Sequence, residues 1–346
     1  MKALLVPEFG NAEVLRFGEI ADPVINSHDI LVKVKATALN HLDIFVREGI
    51  SGLKLEMPHI LGSDISGEII EIGSKVESDF KERQRVVIDP GLSCGRCEFC
   101  IMGERSLCKK FGIIGEHVRG GNAELFSVSE HNVISIPDEA DVDFVQAAAV
   151  PLTFMTAWRM VRTQAGVKPS DTVLIIGIGG GVALAALQIA KLSGAKVIVT
   201  SSSDQKLKQA YNLGADVAVN SETHPDYHRE VYHLTHKRGV DVVIDSVGRA
   251  TWDRSLMSLR KGGQLVTCGA TSGPLAETNI NRIFWNQLQI KGSTMASRSE
   301  VRNVLKLVWE GKLRPVVDEV FSLSEGIQAH KRLEAGKQFG KIVMKV

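Results

Sequence analysis

The stretch Val173-Leu-Ile-Ile-Gly-Ile-Gly-Gly-Gly-Val-Ala183 decides the fold. Val173 to Ile176 are four consecutive apolar residues, the pattern of a strand buried on both faces. Gly177, Gly179, Gly180 and Gly181 follow at once. Ala183 to Leu192 are strong helix formers whose main polar positions, Gln188 and Lys191, share one face, and Gly194 stands at the C′ place. Strand, glycine turn and helix N-terminus make an anion site. The glycines let the backbone approach a pyrophosphate, and the first helical N–H groups point at it, with Gly177, Gly179, Gly180, Gly181 and Val182 as the candidate contacts. The strand before and the helix after favour a dinucleotide site over an ordinary turn. The pattern departs from G-x-G-x-x-G: counted from Gly177, the sixth position is Val182, and Ala183 takes the place that packs helix on strand.

Outward from this turn, strands and helices alternate. Strands are expected at 172–178, 196–200, 217–220, 240–246, 264–268 and 288–291, with helices at 183–192, 205–213, 224–235 and 252–259 between them. That order predicts a parallel sheet covered on both faces. Residues 1 to about 150 read instead as β-rich, with period-two alternation in Ile30-Leu-Val-Lys-Val-Lys-Ala36. The C-terminal Gly340-Lys-Ile-Val-Met-Lys-Val346 shares that character. The tail is therefore expected to rejoin the first domain, giving domains of 1–150 plus 297–346 and of 151–296.

The bulk numbers agree with two globular domains. The chain has 346 residues, 44% of them apolar, and 41 basic against 40 acidic residues. A net charge of +1 argues against nucleic acid as the main partner. No apolar run reaches the ~18 residues of a membrane span, and the N-terminus reads as a strand, not an export signal. A cytoplasmic, reducing setting is the expectation. Four of the five cysteines, Cys94, Cys97, Cys100 and Cys108, are spaced C-x2-C-x2-C-x7-C. In such a setting this points to one structural zinc per chain, with Arg96, Arg105, Lys109 and Lys110 near enough in sequence to offset its charge. An iron–sulfur cluster and two disulfides are the alternatives.

With these features in place the chain resembles the zinc-containing medium-chain dehydrogenase/reductase superfamily, and within it the quinone oxidoreductase-like branch. The resemblance runs through Gly62-Ser-Asp-Ile-Ser-Gly67, the cysteine lobe at about 91–112, Gly120-Gly-Asn-Ala-Glu124, Pro151-Leu-Thr-Phe-Met-Thr-Ala-Trp158, the glycine turn, Val243-Ile-Asp-Ser-Val-Gly248 and Val266-Thr-Cys-Gly-Ala-Thr271. It implies a Rossmann doubly wound sheet beside a β-rich GroES-like catalytic domain with a zinc lobe. It also implies cofactor contacts at Cys268 and Gly269, a place for His41 by the pyrophosphate, Thr156 packed on the nicotinamide, and a homodimer or homotetramer.

The informative feature is a departure. Alcohol dehydrogenases of the superfamily hold a catalytic zinc through a Cys, a Gly-His-Glu segment and a later Cys. The corresponding residues here are Asn40, Gly62-Ser63-Asp64 and Leu152, and Leu42 replaces the hydroxyl of the proton relay. An amide, a hydroxyl and an alkyl chain are poor zinc ligands. The expected chemistry is hydride transfer to a small electrophile, a quinone or an activated alkene or carbonyl, with Asn40 as candidate hydrogen-bond donor to the developing charge. A zinc-type alcohol dehydrogenase with atypical ligands and a non-enzymatic protein on the same fold are the alternatives. NADP(H) is favoured over NAD(H), because Ser201 stands where an NAD enzyme places an acid and Ser202 and Lys206 follow, although Asp204 is close.

Overall fold

The computed structural model describes residues 1–346, which form two compact units: Met1–Leu152 with Ala296–Val346, and Thr153–Met295. In the second unit six strands run parallel in the order Val217–Asn220, Lys196–Ser201, Thr172–Ile175, Val240–Asp245, Leu259–Thr267, Gln289–Gly292. The strand before the glycine turn lies at the centre, where order reverses, the usual place for a ligand in an open α/β sheet. Its residues Val173, Leu174 and Ile175 are fully buried, as an uninterrupted apolar run requires. The strand is shorter than expected because Gly177 turns left-handed, at φ +70°. The helix, Gly181–Leu192, begins two residues earlier than expected, and Gly194 ends it in the left-handed region at φ +78°.

The first unit is built on a seven-stranded sheet in which Asp29–Ala38 pairs with Asp64–Ile72, with Leu125–Ser129 and with the C-terminal strand Lys341–Lys345. The alternation of Ile30, Val32 and Val34 places them in one core with Ile65, Ile69, Val86 and Ile88. The C-terminal strand brings Ile342 and Met344 to a second core with Leu4, Leu39 and Leu61. This return of the tail sets Lys341 beside residues 39, 40 and 64, far from it in sequence.

Polar groups buried in this unit are matched rather than scattered. Arg47, with no exposed surface, donates to the Gly10 carbonyl at 3.0 Å and to His330 Nδ1 at 3.0 Å, and pairs with Glu334. A guanidinium only donates, so Nδ1 accepts and the His330 proton sits on Nε2, which has no protein partner. Burial, then the Arg47 charge, lowers the His330 pKa to about 3. An unfolded histidine titrates at 6.5. Between that value and about 3 the unfolded chain takes up a proton that the native chain refuses, so His330 destabilises the fold increasingly as pH drops. His330→Gln keeps an acceptor for Arg47 and removes the titration. The melting-temperature difference between variant and wild type should therefore shift in the variant's favour from pH 7 to pH 4. A difference independent of pH would contradict this assignment.

Candidate active site

The first unit holds a buried polar cluster where the sequence departs from the alcohol dehydrogenase ligand pattern. Asn40 ends the strand Asp29–Ala38 by two residues and opens the helix His41–Glu48. Its backbone N–H donates to Asp43 Oδ2 at 2.7 Å, and Asp43 Oδ1 accepts from the Gly62 N–H at 3.0 Å. Asp43 thus ties the helix start to the Gly62 turn, whose φ of +101° only glycine adopts readily. A Cβ at Gly62 would also lie 2.2 Å from Asn122 Oδ1. Burial raises the Asp43 pKa to about 6 against the opposing pull of the Asn40 and Gly62 N–H groups and the Lys341 charge.

At the centre is Lys341. Its ammonium donates to the Leu39 carbonyl at 2.6 Å, to Asn40 Oδ1 at 2.6 Å and to Asp64 Oδ2 at 2.9 Å. Asp64 Oδ2 also accepts from Asn40 Nδ2 at 2.9 Å, and Asp64 Oδ1 from the Leu152 N–H at 2.7 Å. Lys341, Asp64 and Asn40 are 4%, 0% and 7% exposed. The sequence reading did not single out Lys341. Its signal was a lysine inside an apolar strand that ends the chain, and only the strand pairing shows what it meets.

This donor set does not fit a catalytic zinc. An ammonium already neutralises the one carboxylate, Asn40 is bonded to both members of the pair, and Ser63 and Leu152 supply no imidazole or thiolate. The other Asn40 amide hydrogen faces the Ala38 carbonyl at 3.4 Å, so the side chain proposed from sequence as a donor to substrate is engaged inward. His41, next to it, has its pKa lowered by burial and secondarily by Lys341. It is partly exposed and neutral at physiological pH.

The four cysteines fit a structural zinc. Their Sγ atoms all lie within 4.8 Å of one another. Neighbouring sulfurs are 3.5 Å apart for Cys97–Cys100 and Cys94–Cys108, and 3.9 Å for Cys94–Cys100. A tetrahedral shell with Zn–S bonds of about 2.3 Å needs sulfur–sulfur edges of about 3.8 Å. The distances exceed a disulfide bond, and all five cysteines are free thiols. The Lys110 N–H donates to Cys108 Sγ at 3.3 Å, and the N–H groups of Arg96 and Cys97 lower the Cys94 pKa to about 6. Arg105 is buried and paired with Asp89 at 2.6 Å and with the Ala296 carbonyl at 3.0 Å, so it anchors the lobe.

In the second unit the glycine turn fits a pyrophosphate. Gly180 is the N-cap, and the N–H groups of Gly181, Val182 and Ala183 precede the first helical bond, made by Leu184 to the Gly180 carbonyl at 3.0 Å. Gly179 has φ +131°, and a Cβ on Gly180 would meet nothing within 4 Å, leaving room for phosphate oxygens. Ser201 ends the strand Lys196–Ser201, nearly buried, and its Oγ accepts from the Ser203 N–H at 3.2 Å. Ser202 follows it, and Ser203 caps the next helix through the Lys206 N–H. Asp204 is held by Asn220 Nδ2 at 2.6 Å. Thr156 is buried, with its hydroxyl 3.9 Å from Met295 Sδ. Cys268 and Gly269 follow the strand Leu259–Thr267. Burial, then Asp245, pushes the Cys268 thiol up to about 12, which keeps it protonated.

Two outcomes test this geometry. Cys108→Ser should lower the melting temperature by several degrees while dinucleotide binding to the other unit is retained; an unchanged melting temperature would remove the zinc assignment. Lys341→Met leaves Asp64 buried without its cation and should destabilise the fold by about 3–5 kcal/mol in a denaturant titration. Lys341→Met with Asp64→Asn should be less destabilised than the single variant. Equal stability of Lys341→Met and wild type would show that the pair carries no structural weight.

Comparison with known proteins agrees with this geometry. The alcohol dehydrogenase GroES-like domain family matches residues 26–138, and the zinc-binding dehydrogenase family matches residues 181–310. The chain is 35% identical over 353 residues to an NAD-dependent alcohol dehydrogenase of Sulfolobus acidocaldarius, with all of both chains covered. It is 29% identical to an acryloyl-coenzyme A reductase of Metallosphaera sedula, covering 99% of each. A crystal structure of an NAD-dependent alcohol dehydrogenase matches with a TM-score of 0.96 and 44% identity over the full length of both chains. No helix of the chain is long and apolar enough to cross a membrane. The protein belongs to the zinc-type medium-chain dehydrogenase/reductase superfamily and is an NAD(P)-dependent oxidoreductase.

Proposed function

We propose that this oxidoreductase transfers hydride from a reduced nicotinamide dinucleotide to a quinone or to an alkene or carbonyl activated by conjugation, without a catalytic metal. The observation that carries this reading is the Lys341–Asp64–Asn40 cluster among the positions where alcohol dehydrogenases of the superfamily hold zinc. Oxidising an unactivated alcohol requires an alkoxide to be stabilised, usually by a metal, and a path for its proton. Leu42 supplies no such path. An electron-poor alkene or quinone needs neither, because its own conjugation accepts the electron pair. The protein's task is then to hold the reacting groups in place, exclude water and donate to the oxygen that gains charge. The likeness to an acryloyl-coenzyme A reductase supports this class, since its named substrate is an alkene conjugated to a thioester.

When bound at the glycine turn, the dinucleotide supplies the hydride. Gly179, Gly180, Gly181 and Val182 would hold its pyrophosphate by backbone N–H groups. We propose NADP(H) as the form used. Ser201 offers a hydroxyl where an acid would repel a 2′-phosphate, and Asp204 is turned to Asn220. The NAD-dependent relatives define the contrary outcome. Thr156, His41, Cys268 and Gly269 are proposed to line the cofactor site. A homodimer or homotetramer is the proposed solution state, supported by the edge strand Gln289–Gly292 and by Ile280, Phe284 and Trp285, which are 71%, 60% and 75% exposed. A light-scattering mass reports it, and a monomer mass would reject it.

The test measures turnover of a quinone, an enone and a secondary alcohol in one preparation, each with both dinucleotides. Reduction of the first two, faster with NADPH, is expected, with alcohol oxidation at least ~10²-fold slower for want of a Lewis acid. Efficient alcohol oxidation would overturn the reading. A preference for NADH would overturn only the cofactor assignment.

A further inference from the structure

The helix Arg298–Trp309 carries two arginines near its start, Arg298 and Arg302, four residues apart and so on one face. Like charges at that spacing repel, and cations in the first turns of a helix oppose its dipole. Arg298 is half-buried and Arg302 is exposed. Among the described residues, neither guanidinium makes an ion pair or a hydrogen bond. Burial, then the Arg105 charge, pulls the Arg298 pKa down, as for a cation short of counter-charge. The acids on the adjoining wall are committed elsewhere. Asp89 pairs with Arg105 at 2.6 Å, and Glu130 accepts from Ser78 Oγ at 2.6 Å and from the Ser78 N–H at 3.0 Å.

Both arginines line a cavity of about 450 Å³ that lies wholly within the first unit. Arg105, Ser299, Asn303 and Cys100 line it too, and no aspartate or glutamate does. Ser299 and Asn303 are again four residues apart, and they add a hydroxyl and an amide that can donate. The four-sulfur cluster is the rival source of counter-charge, because Cys100 forms part of the wall. Yet neither guanidinium donates to a sulfur, and the cavity has room for a separate anion. We propose that this cavity binds a phosphate dianion, either free or as the terminal phosphomonoester of a larger molecule. Its oxygens accept from the Arg298 and Arg302 guanidiniums, whose paired N–H groups match two phosphate oxygens at once, and from Ser299 and Asn303 beside them. Arg105 adds positive charge while staying paired with Asp89. The site does not depend on the hydride chemistry proposed above.

The experiment titrates inorganic phosphate, and separately glucose 6-phosphate, into the zinc-loaded full chain by calorimetry at low ionic strength. Wild type, Arg302→Gln and Arg298→Gln with Arg302→Gln are compared, with zinc counted per chain in each. Wild type should show saturable binding. Arg302→Gln, a change at an exposed position that leaves the fold intact, should weaken it about 10-fold, the scale of one charge-assisted hydrogen bond. The double variant should weaken it at least ~10²-fold. Tighter binding of the ester would identify a phosphomonoester as the ligand, and tighter binding of inorganic phosphate the free ion; both uphold the site. The glycine turn could also take phosphate, so affinity unchanged in Arg302→Gln places the anion elsewhere and overturns the proposal. No saturable binding to wild type up to about 10 mM overturns it as well. In that case loss of zinc from the arginine variants would assign the two guanidiniums to the four sulfurs instead.

Discussion

Lys341 against Asp64 is the interaction on which the first unit depends. Two ions taken out of water are stable together only if every remaining hydrogen-bonding group is met. Here the ammonium meets three oxygens and the carboxylate meets three donors, all from protein. The pair joins the last strand to the start of the strand Asp64–Ile72, and Asn40 joins both to the helix His41–Glu48. A cavity or an unpaired partner at this point would loosen three elements at once. The same contacts set the Lys341 ammonium against Asn40 and Asp64, among the positions that the superfamily resemblance assigns to zinc ligands.

The fold alone does not name the reaction. The relatives that share the full length include proteins named as alcohol dehydrogenase and as acryloyl-coenzyme A reductase. A scaffold is common to several chemistries, and the site separates them. In this chain Cys94, Cys97, Cys100 and Cys108 form a compact four-sulfur cluster that fits one zinc. The positions that the resemblance assigns to the catalytic zinc hold an amide, a hydroxyl, an alkyl side chain and a carboxylate paired with Lys341. What the structure shows at these positions is a buried, internally paired polar cluster.

Much of this was legible in the sequence because local rules govern it. The glycine turn, the parallel strands around it and the C-x2-C-x2-C-x7-C lobe each rest on spacing that a single segment fixes. The element ends moved by a few residues where a left-handed glycine such as Gly177 or an N-cap such as Gly180 set the boundary. The departure from the zinc-ligand pattern was legible too, by position. The partner of Asp64 was not. Lys341 lies 277 residues from Asp64, and no local pattern couples them. The same holds for Arg105 with Asp89 and for Arg47 with His330, buried pairs whose members are distant in sequence. Asn40 looked like a free donor until Lys341 and Asp64 occupied its amide.

The central claim is that the superfamily's catalytic metal position is filled by a protein cation. Elemental analysis of the protein purified and dialysed with zinc present tests it directly. One zinc per chain, removed altogether by Cys108→Ser, is the expected result. Two zinc ions per chain, with one surviving that substitution, would show that Asn40, Ser63 and Asp64 bind metal after all and would contradict the account.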